Sequence, residues 1–237
     1  MHIEGSVALV TGGNRGIGRQ FVEQLQQRGA SKVYVAVRRP ELVEIPGVEV
    51  LRLDITDPTS AAAIADQAPD LTLLVNNAGI STNTSLITGD LATIRLEMET
   101  HYFGTLSVIR ASAPVLARNG GGAIVNVLSA LSWFAYNGSN PYAAAKAAEW
   151  NMTNGVRLEL AGQGTLVQGV HLGTADTDMT AGYDGPKIDP AVVASAALDG
   201  LERGGVEVLV DDWSRMIKGT LAHNPADFYG PALADAQ

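Results

Sequence analysis

The chain has 237 residues, 46% of them hydrophobic and 17% charged, with a formal net charge of −9 and no cysteine. This composition suits one globular α/β domain and excludes a disordered chain. The acidic balance argues against a nucleic-acid surface, and the missing thiols exclude disulfides and Cys-ligated metals. No metal site is assigned. The first six residues carry no basic start, and no run approaches the ~18 apolar residues of a membrane helix. A cytoplasmic protein without a membrane partner is expected.

In chain order, residues 7–10 form a short apolar run followed by Thr11-Gly-Gly-Asn-Arg-Gly-Ile-Gly18. A helical pattern with Ile17, Phe21, Val22 and Leu25 follows and stops near Arg28-Gly29. Residues 32–37 read as a buried strand, which completes a βαβ unit. A third strand covers 48–53, and an alanine-rich helix covers 58–68 with Pro in its first turn. A fourth strand at 71–75 ends in Asn76-Asn77-Ala78-Gly79. One long helix is expected over 91–118, then a strand at 123–128 and a helix reaching about residue 160. Strand 166–171, a Gly/Thr/Asp-rich loop at 173–189, helix 190–201 and strand 206–210 complete the pattern. Strands alternating with helices predict a Rossmann-type doubly wound sheet of about seven mostly parallel strands, covered on both faces.

Gly12, Gly16 and Gly18 stand at the first strand-to-helix turn. Glycine there permits positive φ and close backbone approach, and a helix N-terminus favours a pyrophosphate. The same glycines would also serve a turn needed only for packing. The second strand ends in Arg38-Arg39 with no carboxylate before Glu41, and Arg15 lies inside the glycine turn. An acid would accept from the ribose hydroxyl of NAD, whereas arginine suits the extra phosphate of NADP. NADP(H) is therefore expected over NAD(H). Asp54 follows the third strand, where it could meet an adenine or serve as a turn aspartate.

Tyr142 and Lys146 stand four apart behind the helix-start signal Ser139-Asn140-Pro141. That step places both side chains on one helix face. A neighbouring ammonium favours the phenolate and draws the tyrosine pKa down toward the working range. Ser129, thirteen positions before the tyrosine at a strand end, could bring a hydroxyl to the same pocket.

Taken together, these segments resemble the short-chain dehydrogenase/reductase family over nearly the whole chain. The resemblance rests on 11–18, Asp54, 76–79, Ser129 with Tyr142 and Lys146, and 173–177. It implies hydride transfer between a nicotinamide and a carbonyl or alcohol carbon. Tyr142 would then be the acid/base, Lys146 its electrostatic partner and ribose ligand, and Ser129 a donor to the substrate oxygen. Gly12, Asn14, Arg15, Gly16, Ile17, Gly18, Arg38, Asp54, Ile55, Asn77, Ala78, Gly79, Gly173, Thr174, Ala175 and Thr177 would hold the cofactor, together with Tyr142 and Lys146. Two positions depart from the family pattern: His101 stands where an Asn usually anchors a relay water, and Leu172-Gly173 replaces Pro-Gly.

Ser132, Trp133, Tyr136, Asn137, Met179 and Tyr183 are expected around a small-molecule carbonyl or alcohol substrate, with 173–189 as a substrate loop. Trp133 and Phe134 suit packing better than recognition. A homodimer or homotetramer is expected, with Ala147, Trp150, Met152 and Val156 of one helix suiting an interface or the core equally well. Trp213, Met216, Ile217 and Leu221 have helical spacing and would pack on the chain itself or a partner. The competing readings are a dinucleotide-binding sensor or scaffold without turnover and, against the intact glycine turn, a halohydrin dehalogenase.

Overall fold

The computed structural model describes residues 1–234. Seven strands form one sheet: β1 Val7–Thr11, β2 Lys32–Val37, β3 Glu49–Arg52, β4 Leu73–Asn76, β5 Ala123–Val127, β6 Leu166–His171 and β7 Glu207–Leu209. Their order is β3-β2-β1-β4-β5-β6-β7, and every neighbouring pair is parallel. The chain builds outward from β1 in one direction and then, through β4, in the other. Between β1 and β4 the crossovers diverge and leave a crevice at the carboxyl ends of the strands.

The long helices are α1 Gly16–Gln27, α5 Thr105–Arg118, α6 Asn140–Leu160 and α7 Pro190–Glu202; α2 Pro58–Ala62, α3 Ile64–Gln67 and α4 Leu91–Met98 are shorter. Two more, α8 Asp212–Gly219 and α9 Pro225–Ala234, follow β7. Strands buried on both faces need apolar residues at every position, which explains why β1 and β2 read as continuous runs. Val10, Val35 and Val75 pack under Phe21 and Leu25 of α1 and Val193 and Leu198 of α7. Leu9, Leu74 and Ile124 face the other way, against Ile64, Val108, Leu116 and Val156. Each such side chain contributes roughly 1.5–3 kcal/mol through burial.

The helix expected over 58–68 is broken at Ala63, and Asp57 caps its first part by accepting from the Thr59 N–H at 2.9 Å. The helix expected over 91–118 is interrupted by a wide π turn, Glu99–Gly104. Gly104 is required there, because a Cβ would stand 2.9 Å from the Ile55 carbonyl oxygen. Polarity in α4 is inverted: Leu91 and Leu96 are exposed while Glu97 is buried. On α6 the core reading holds for Met152 and Val156, while Ala147 and Trp150 are partly exposed. Met152 and Val156 are buried under the sheet, and Trp150 packs edge-on against Trp133. In α8, Ile217 is buried while Trp213 and Met216 stay half exposed; Leu221 lies just beyond the helix.

Candidate active site

A continuous cleft of about 890 Å³ runs along the carboxyl edge of the sheet, from Arg38 to Tyr142 and on to Trp213. At its β1 end the chain turns through Gly12 at φ +66° and Gly16 at φ +53°, which favours glycine at both positions. A Cβ on Gly12 would stand 3.1 Å from Ala78 Cα, so the turn and the end of β4 nearly touch. Asn77 locks them together. Its Nδ2 donates to the carbonyls of Thr11 at 3.1 Å and Gly12 at 3.3 Å, while the Thr11 hydroxyl accepts from the N–H groups of Asn77 and Ala78. No side chain caps the N-terminus of α1, which leaves its first N–H groups for an anionic ligand.

Gly12, Asn14, Arg15, Gly16, Ile17, Arg38, Asp54, Ile55, Asn77, Ala78 and Gly79 all line this part of the cleft. Gly18 does not. It is buried in the first turn of α1, where a side chain would run into the Gly12 carbonyl and the Asn77 amide. It is a packing residue of the turn, not part of the cleft wall. Asp54 serves as a turn aspartate, its Oδ1 accepting from Thr56 N at 3.0 Å and Thr56 Oγ1 at 2.7 Å, and it also lines the cleft. Arg15 reaches across the mouth to Asp178 at 2.7 Å, with both side chains well exposed.

At the other end, Ser129, Tyr142 and Lys146 line the same cleft with Gly173, Thr174, Ala175 and Thr177. Ser129 lies two residues beyond β5 and its Oγ accepts from Leu131 N at 3.1 Å. Lys146 Nζ lies 5.9 Å from the Tyr142 ring centroid and donates to Val127 O at 2.8 Å and to Glu149 Oε2 at 2.6 Å. Burial pulls the Lys146 pKa down, but Glu149, with Tyr142 and Glu97, outweighs it and holds the ammonium above its ordinary value. The phenol moves in the direction opposite to the sequence expectation. Enclosure raises its pKa, Lys146 draws it down, and Glu149 and Glu97 push it up again, leaving Tyr142 above its ordinary value.

A model of the short chain dehydrogenases matches residues 6–186. The chain belongs to that family. It is similar to a short chain dehydrogenase from Burkholderia cenocepacia J2315, solved in complex with NADP: 40% identity, 98% of both chains covered, TM-score 0.93. The 3-oxoacyl-[acyl-carrier-protein] reductase FabG of Vibrio cholerae is 33% identical over 189 residues, 76% of this chain and 78% of that protein. A Staphylococcus saprophyticus protein described as an uncharacterized oxidoreductase is 27% identical over 219 residues, covering 86% and 94%. The sheet, its order and its flanking helices are those of a Rossmann-type oxidoreductase of this family.

Within this short-chain dehydrogenase, His101 comes from the π turn and lies edge-on to Tyr142, with ring centroids 5.1 Å apart. Its Nε2 donates to the Ile80 carbonyl at 2.9 Å and stands 3.4 Å from Glu97 Oε2; its Nδ1 is 3.8 Å from Glu149 Oε2. Glu97 is held by the Thr82 N–H at 2.6 Å. Burial raises its pKa, yet His101 and Thr82 more than offset that and keep the carboxyl below the usual range. Glu97 and Glu149 are the parts that sequence reading missed. The only available signals were their helical steps, Glu97 to His101 and Lys146 to Glu149.

Of the residues expected at the substrate end, Tyr136, Asn137, Met179 and Tyr183 line the cleft, whereas Ser132 and Trp133 do not. Ser132 is buried, and Trp133 stacks on His171 at 3.8 Å, so Phe134 takes the wall position instead. His171 was also missed. It is fully buried and its Nδ1 donates to Ser129 O at 3.1 Å, which fixes the backbone of the serine; burial pushes its pKa down to about 4. Phe134 in turn packs against Trp213 of α8 and against Phe228 and Tyr229 of α9, and the Tyr229 hydroxyl accepts from Ala135 N at 2.9 Å.

Proposed function

We propose that the protein is an NADP(H)-dependent carbonyl reductase or alcohol dehydrogenase. One observation carries this reading: the glycine turn and the Ser129, Tyr142, Lys146 group face one uninterrupted cleft. The cleft suits a dinucleotide in two respects, the positive-φ glycines that bring backbone close to it and the uncapped α1 N-terminus. Gly12, Gly16, Asn77 and Thr177 would hold the phosphates and ribose, and Arg15 and Arg38 the 2′-phosphate. The bound nicotinamide supplies the hydride.

In reduction, Tyr142 donates its proton to the substrate oxygen, for which a phenol that retains its proton is suited. The Ser129 hydroxyl donates to the same oxygen and stabilises charge developing there. Lys146 balances the phenolate left behind. Phe134, Tyr136, Met179, Tyr183 and Trp213 make the substrate wall largely apolar and aromatic, in keeping with a small, mostly apolar carbonyl compound. The NADP complex of the Burkholderia relative supports the cofactor choice, and the ketone-reducing relative from Vibrio supports the direction. We also infer one domain carrying both functions, with 173–189 as the substrate loop, a cytoplasmic location, and a homodimer or homotetramer. Support for assembly comes from exposed Leu91, Leu96 and Phe103 on α4 and the π turn, and Leu158 on α6. Among the described residues no helix is long and apolar enough to cross a membrane.

NADPH consumption across a panel of ketones and aldehydes tests the reading. Tyr142→Phe should lower turnover by 10² or more; unchanged turnover in that variant sinks the mechanism.

A further inference from the structure

The family model stops at residue 186, yet the chain after it reaches back to the substrate end of the cleft. Asp211 caps α8 by accepting from the Ser214 N–H at 2.6 Å, and its other oxygen accepts from the Gly173 N–H at 2.7 Å. Those two bonds tie the start of α8 to the loop after β6 and set Trp213 against Gly173. A Cβ on Gly173 would stand 2.8 Å from Asp211 Oδ2 and 3.2 Å from Trp213 Cδ1, so the close contact requires glycine. From the far side, α9 holds Phe134. The Tyr229 ring stacks on it at 5.6 Å, Phe228 meets it edge-on at 4.8 Å, and Trp213 stands edge-on at 6.2 Å. The Tyr229 hydroxyl accepts from the neighbouring Ala135 N–H.

These rings are fixed from behind but open toward the cleft: Trp213 is 46% exposed, and Tyr183 across the wall is 43% exposed. Large apolar rings gathered on one concave wall mark a binding surface. Charge is sparse there. Among the described residues that line the cleft from Leu128 onward, only Lys146 and Asp178 carry formal charge. Lys146 is engaged by Glu149, and Asp178 by Arg15. A carboxylate on the substrate would find no unpaired cation at this wall.

We propose that α8 and α9 set the substrate class of the site: Trp213, with Phe134 held from behind by Tyr229, receives the ring of a neutral aryl ketone, aryl aldehyde or the matching alcohol. This rests on the reading of the cleft as a carbonyl-reducing site. Aromatic rings meet best edge-on or offset, and such pairs add selectivity beyond the area they bury. Tyr229 does not line the cleft; it is a positioning residue that fixes Phe134.

The test reads binding, with oxidised NADP saturating the protein so that an added ketone forms a ternary complex that cannot react. Ligand-observed NMR titrations compare acetophenone, cyclohexyl methyl ketone and para-acetylbenzoate. The second has the same carbon skeleton without aromaticity, and the third adds a carboxylate. Acetophenone should bind about two- to tenfold tighter than cyclohexyl methyl ketone, and para-acetylbenzoate should bind more weakly than acetophenone. Trp213→Leu should abolish the aromatic preference. Tyr229→Leu should reduce it, whereas Tyr229→Phe, which keeps the ring, should retain most of it. The proposal is overturned by equal affinities for the two neutral ketones, by tighter binding of para-acetylbenzoate, or by binding of none of the three. An unchanged preference in Trp213→Leu or Tyr229→Leu, or an equal loss in Tyr229→Phe and Tyr229→Leu, also overturns it. Should the variants fail to fold, the affinity ratios of the unaltered protein decide. Absence of carbonyl turnover would count against the reductase reading alone, because these complexes need no reaction.

Discussion

The two ends of the cleft are built from different materials. Around β1 and β4, the wall consists largely of backbone and small residues, and the ion pair there, Arg15–Asp178, joins side chains that are 68% and 73% exposed. Around β5 and α6, the wall rests on buried charge: Lys146 against Glu149 at 2.6 Å, with His101 and Glu97 behind them. Shape governs the first end, and rigid glycine geometry is enough to receive a ligand that brings its own charge. In the proposed function the second end must fix a proton on one oxygen, and charges act strongly only where water is excluded. The contrast separates positioning by sterics from positioning by field.

The largest effect should come from breaking the field. Lys146→Met leaves Glu149 buried without its cation, and equilibrium unfolding should show a loss of about 3–5 kcal/mol. The double variant Lys146→Met/Glu149→Leu should recover most of that, since neither charge remains. Comparable losses in single and double variants would show that packing, not charge, holds this end together.

His171 gives the next effect, read as a pH dependence. Its folded pKa of about 4 lies below its ordinary 6.5, so the unfolded chain binds the proton more readily. Stability from this residue is complete above pH 6.5 and is lost as pH falls toward 4, by about 3 kcal/mol in all. The slope of unfolding free energy between pH 6.5 and 4 should flatten in His171→Gln. An identical slope would remove His171 from the acid-sensitive groups.

At the other end of the cleft, Arg38→Asp should weaken NADPH binding by about 1.5–3 kcal/mol, the worth of a hydrogen bond to a charged group, and leave NADH nearly unaffected. Fluorescence titration with both cofactors measures the difference, and equal losses would make Arg38 a surface residue. The smallest effect belongs to Asp178→Ala. An exposed pair contributes about 0–1 kcal/mol, so thermal unfolding should barely move. A larger loss would mean that the mouth of the cleft is held by more than shape.

The same contrast explains what was legible in the sequence. The glycine turn, Asn77 and the strand runs are local signals, because backbone conformation and two-sided burial leave marks within a few residues. Ser129, Tyr142 and Lys146 were recognisable from order and spacing. The effect of Lys146 on Tyr142 was not, since it depends on Glu149, which reads in the sequence as one more acid on a helix. Trp133 and Phe134 show the same limit: two adjacent aromatics, one stacked on His171 and the other on the cleft wall, are separated only by the turn that carries them. The break at Ala63 and the wide turn at Glu99–Gly104 also left no local trace, and at Gly104 the close neighbour is the Ile55 carbonyl, far away in sequence.

That wide turn has a bearing on how such a site could arise. An i→i+5 turn accommodates one residue more than an α-helical turn, so Glu99–Gly104 has the form of a single inserted position within a helix. Because the wide turn already absorbs the extra residue, deleting one position there would restore regular winding and leave the flanking segments in nearly the same rotational register. Glu97, Thr105 and Val108 would keep their seats. One length change in the gene would thus reshape the turn that carries His101 without moving the buried carboxylate before it.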